Sequence, residues 1–67
     1  MLKYTVVIKY DSRDNVYVAS IPELQGCIAH GGTPEDAVKE ITTASELWLQ
    51  TAKENSVEIP VPMMFAG

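Results

Sequence analysis

The residues best suited to chemistry are His30 and Cys27, the chain's one histidine and one cysteine, three positions apart ahead of a Gly31-Gly32 pair. A histidine there could act as a general base or contact a phosphate near a helix start. A nucleophilic set would need a serine or a second cysteine close by, and the sequence offers neither. Cys27 with His30 supplies too few ligands for zinc. The alternative reading is a surface histidine at a strand end and a small buried thiol. The carboxylates raise a second possibility, two-metal nuclease chemistry, which needs acids converging from strand interiors and a helix. Here LKYTVVIKY contains no acid, Asp11 and Asp14 sit in a turn, and Glu35, Asp36, Glu40 and Glu46 are spread along a helix. Gly31-Gly32 alone is no phosphate loop. The expectation is no enzyme, no metal and no cofactor.

The elements that must position these residues are well punctuated. Leu2–Tyr10 alternates as a half-buried strand, and Asp11–Asn15 is a polar turn cluster. Val16–Ile21 follows as the second strand of a hairpin, ended by Pro22. Gly26–His30 is a short third strand, with Gly26 and Gly31-Gly32 as places where φ can turn positive. Thr33 is a good N-cap, Pro34 suits the first helical position, and Glu35 and Asp36 favour the dipole. The helix runs from Pro34 to Lys53 or Asn55. Its core stripe is Ala37, Ile41, Ala44, Trp48 and Ala52, flanked by Val38, Ser45 and Leu49. Val57, Ile59 and Val61 alternate with Glu58, Pro60 and Pro62, which predicts a fourth strand at an edge, blunted by its prolines. The expected fold is α+β: β-β-β-α-β, an antiparallel three-stranded meander plus an edge strand, with one helix on one face.

Bulk properties narrow the partners. Nine acids against five bases give a net charge of −4, which argues against direct nucleic-acid binding and suits a basic protein partner, while also being what ordinary solubility requires. No apolar run is long enough to span a membrane. One cysteine and no signal peptide suggest a reducing, cytoplasmic setting. A single 67-residue domain is marginal as a monomer, and no disulfide or metal staples it. Self-association as a dimer or a dimer of dimers is expected. The proposed surface is the sheet face away from the helix, around Val7, Tyr17 and Ala19, with the apolar tail Met63, Met64 and Phe65.

IPELQGC, HGGTPEDAVKE, ELWLQ and IPVP, in this order from Tyr4 to Pro62, resemble the HicB family of antitoxins. The resemblance implies a truncated ribonuclease-H-like fold without catalytic acids. It also implies binding and neutralisation of HicA, a small basic mRNA-cleaving toxin. On that reading the loop Glu23-Leu24-Gln25 and the helix acid Glu40 are candidate toxin contacts. Full-length relatives carry a further DNA-binding segment, and this sequence stops at Gly67, so operator binding is not expected. The alternative is an orphan HicB-like domain acting as an oligomeric interaction protein without a toxin.

Overall fold

The computed structural model describes residues 4–62. Strands β1 (Val7–Asp11), β2 (Val16–Ser20) and β3 (Ile28–Gly31) precede helix α1 (Pro34–Glu54). They form an antiparallel sheet in the order β1-β2-β3, and α1 packs on β3 and β2. The fold is α+β, three antiparallel strands followed by one helix.

β1 and β2 join through a polar turn in which Asn15 takes a positive φ of 54°. The Asp11 carboxylate accepts from the Arg13 N–H at 2.9 Å, and the Tyr10 hydroxyl donates to Asn15 Oδ1 at 2.9 Å. This turn length sets the register Val7↔Ser20, Lys9↔Val18 and Asp11↔Val16. Odd residues of β1 therefore share a face with even residues of β2. β3 extends the pattern through Val18↔His30 and Ser20↔Ile28. The face away from α1 thus carries Val7, Lys9, Asp11, Val16, Val18, Ser20, Ile28 and His30. Tyr17 and Ala19 lie on the helix side instead, where Ala19 is fully buried in the core and Tyr17 packs against it. The grouping of Val7 with Tyr17 and Ala19 is corrected by this register. Met63, Met64 and Phe65 lie outside the described residues, as does Leu2.

The core is Ala19, Ile21, Leu24, Cys27, Ala37 and Ile41, with Tyr4, Val6, Trp48 and Leu49 packed around it. Helix entry follows the sequence signals: Thr33 is the N-cap, Pro34 opens the helix, and the Asp36 N–H donates to Thr33 Oγ1 at 3.1 Å. The last turn closes by an αL cap. Ser56 has φ 56°, its N–H reaches the Lys53 carbonyl at 3.3 Å, and the Val57 N–H reaches the Ala52 carbonyl at 2.8 Å.

Three boundaries differ from expectation, each for a hydrogen-bonding reason. β1 begins at Val7 because the Thr5 N–H donates to the Glu23 carboxylate, at 3.0 and 3.1 Å, rather than to a neighbouring strand. β3 begins at Ile28 because Gly26 turns with φ 81° and the Cys27 N–H goes back to the Leu24 carbonyl. Residues 57–62 form no strand: with Val57 bonded to the helix end and the Pro60 carbonyl taken by the Tyr4 hydroxyl, they join no ladder among the described residues. Gly31 and Gly32 do not use positive φ either. Gly31 instead lets the helix come close, because a Cβ there would meet Ala37 N, Asp36 C at 2.7 Å and Ala37 Cα at 2.9 Å.

Candidate functional site

The loop after β2 is built inward. Pro22 ends the strand, the Leu24 N–H returns to the Ile21 carbonyl at 3.0 Å, and Ile21 and Cys27 join across the loop mouth at 3.1 Å. This tight crossing drives the Leu24 side chain to 0% exposure. Leu24 is therefore a core residue, and its side chain cannot meet a partner. Glu23 is half-buried and its carboxylate also accepts from Thr5 Oγ1 at 3.1 Å, so it tethers the loop to the start of β1. Gln25 is exposed, and its carbonyl accepts from Trp48 Nε1 at 3.0 Å. That bond joins the loop to the helix and leaves the Gln25 side chain at the surface.

Beside this junction, between α1 and β3, lies an open apolar groove of about 410 Å³. Cys27, Ala44, Leu47, Trp48 and Val57 are among the residues that line it. Burial pushes the Cys27 thiol up from its ordinary value, so at neutral pH it is an uncharged part of the groove floor rather than a nucleophile. Leu47 is 64% exposed on the rim, a large apolar side chain in water.

Charge is sorted across the helix. Asp36, Glu40, Thr43, Leu47, Gln50 and Glu54 follow at steps of four, three, four, three and four, so they form one exposed stripe along the groove side. It holds acids and no base. Lys39 and Lys53 fall on the other flank, with Glu35 and Glu46. Glu40 is exposed on this stripe one helical turn before the groove residue Ala44, and does not itself line the groove. The structure keeps Gln25 and Glu40 available, ties down Glu23 and removes Leu24.

The remaining chemical candidates stay apart. His30 is exposed on the sheet face away from α1, opposite Val18. Cys27 is buried on the helix side. Among the described residues no group of three His, Cys, Asp or Glu side chains could hold a metal ion. Sequence reading missed the groove. Its signal was Leu47, an apolar residue off the core stripe, which a helix of this amphipathicity has no internal reason to carry.

The fold and surface fit a protein-binding domain, and comparison with known proteins points the same way. The family model described as a HicB-like antitoxin of the bacterial toxin–antitoxin system matches residues 4–66. The chain belongs to the HicB-like antitoxin family. This HicB-like domain is 37% identical over 59 residues to a UPF0150 protein of Synechocystis, covering 88% of this chain and 80% of that one. A UPF0150 protein of Thermoplasma acidophilum is 36% identical over 59 residues, covering 88% and 84%. One from Helicobacter pylori is 36% identical over 62 residues, covering 79% and 86%. No solved structure matches the HicB-like chain. Its family gives it an antitoxin role in general, which suggests a non-catalytic part and implies a toxin partner. No helix among the described residues is long and apolar enough to cross a membrane.

Proposed function

We propose that this HicB-like domain neutralises a small basic, HicA-like mRNA-cleaving toxin in the cytoplasm, by binding it rather than by any reaction of its own. The observation that carries the reading is the apolar groove beside a helix stripe whose charged members are all acids, in a chain of this family. An apolar anchor beside charges of one sign suits a partner with an apolar contact set among bases. Gln25, whose carbonyl is bonded to the groove residue Trp48, and Glu40, one turn before Ala44, are the proposed polar contacts, and Leu47 is the proposed apolar one. The meander and helix are read as a partial ribonuclease-H-like fold, and the domain is proposed to work as a homo-oligomer without direct contact to nucleic acid.

Calorimetry against the basic product of a neighbouring gene tests this. The expected result is binding that weakens as salt rises, and weakens further in Glu40→Lys and Leu47→Asp, both of which alter exposed positions. No binding at low salt would overturn the neutralising role and leave the orphan oligomeric domain as the better reading.

A further inference from the structure

The segment after the helix joins no ladder, and one of its edges has no hydrogen bond to any described residue. Ile59 and Val61 each precede a proline, which holds them in extended backbone. In such a chain the N–H and C=O of one residue point to one edge, and those of the next to the other. The Pro60 carbonyl accepts from the Tyr4 hydroxyl at 2.8 Å, so the proline edge faces the domain. The opposite edge presents the backbone groups of Ile59 and Val61, which bond to no other described residue. Their side chains are 41% and 82% exposed. Two exposed apolar side chains and two donor–acceptor sets with no partner among the described residues thus occupy the same two positions.

We propose that this edge is a seam at which two copies of the chain pair antiparallel, about a two-fold axis through Pro60. The inference gives a place to the homo-oligomer proposed above and does not depend on a toxin. The occupant is a second copy because the segment complements itself. Ile59 exchanges both backbone bonds with Val61 of the second copy, and Val61 with its Ile59. Pro60 faces Pro60, the position in the pair that needs no donor toward the seam. Glu58 falls opposite Pro62 instead of another Glu58, so no like charges meet. The symmetric register centred on Ile59 would draw on the Val57 N–H, which is already given to the Ala52 carbonyl at 2.8 Å. The outer edge of each strand lacks donors at Pro60 and Pro62, so no third strand adds and the pairing closes at two. Ile59 and Val61 of both copies then cover one another on one face of the ribbon.

The test uses the full chain. A non-hydrogen-bonded antiparallel pair brings its Cα atoms to about 4.5 Å, within disulfide reach. Pro60→Cys is therefore expected to form a 60–60 disulfide under mild oxidation about tenfold faster than Glu58→Cys, whose copies lie several residues apart in this register. Peptide mapping distinguishes that product from any bond to Cys27, which is buried. Sedimentation should show a dimer at micromolar concentration for the native chain. Val61→Pro removes a seam donor and Val61→Asp charges the seam, both at an exposed position, and each should weaken the dimer about tenfold or more. A native monomer throughout the micromolar range overturns the proposal. So does an oligomer unaffected by either Val61 variant, or one in which Pro60→Cys and Glu58→Cys cross-link at equal rates. Those last two results would leave the oligomeric reading intact and place its interface elsewhere.

Discussion

Replacing Gly31 by alanine should be among the costliest single-methyl changes in this domain, and replacing its neighbour Gly32 should cost almost nothing. The three atoms nearest a new Cβ at position 31 are all backbone: Ala37 N, Asp36 C at 2.7 Å and Ala37 Cα at 2.9 Å. No side chain can swing away to relieve that contact. Either the first turn of α1 lifts from β3, or the end of β3 leaves its pairing with Tyr17. Overpacking costs about 1–3 kcal/mol where neighbours can adjust, so a clash of backbone on backbone belongs at about 3 kcal/mol. For a domain of this size that corresponds to a fall in Tm of about 12–24 °C. Around Gly32 a Cβ finds nothing within 4 Å, and its φ is not positive. Gly32→Ala should therefore be neutral or stabilising by up to about 1 kcal/mol, through a less flexible unfolded chain. Urea melts of the three proteins at one fixed concentration make the comparison, since self-association would otherwise shift the midpoints. Equal stability of the two variants within about 0.5 kcal/mol would refute the close-approach argument.

Other perturbations follow from particular contacts. Ser56 holds a left-handed φ of 56° at the helix end, so Ser56→Gly should raise stability by about 0.5–1 kcal/mol in the same melts. Leu24→Ala should cost about 2–5 kcal/mol because its side chain is fully buried, whereas the exposed Gln25→Ala should stay within about 0.5 kcal/mol. Cys27 has a folded-state pKa above the ordinary 9.0, so the fold favours the neutral thiol. Its contribution is complete below the unfolded value and is lost as pH rises through the folded one. The stability of the native chain relative to Cys27→Ala should then be constant from neutral pH to about pH 8 and decline above about pH 9; a difference that grows with pH would be the wrong sign.

Local signals carried most of the fold. The helix start was legible because Thr33, Pro34 and the two acids act within one turn, and the hairpin because its polar turn separates two alternating runs. What escaped depends on distances across the chain. Val7 was grouped with Tyr17 and Ala19 because each strand's alternation was plain, while the phase between strands is fixed only by the turn, which pairs Val7 with Ser20. Leu24 looks like a contact residue in a polar loop until the Ile21–Cys27 closure turns it inward. The fourth strand has the right alternation, but a ladder needs a neighbour, and the described monomer provides none. Gly31 suggested backbone freedom, when its role is the space it leaves for Ala37. The exposure of Glu40 and Gln25 was legible from charge and loop position. The groove needed the helix to be placed on the sheet.

The bond from the Tyr4 hydroxyl to the Pro60 carbonyl spans 56 positions, nearly the whole described chain. It makes the two ends of the domain a single unit in local opening. Removing that one hydroxyl, as in Tyr4→Phe, takes away the fastening that holds Pro60 to the body of the protein, while the buried core is untouched. The peptide bonds of residues 58–62 would then meet a protease sooner, without any global unfolding. The survival time of the C-terminal segment is in this sense governed from the opposite end of the polypeptide, and whatever loosens residue 4 shortens it.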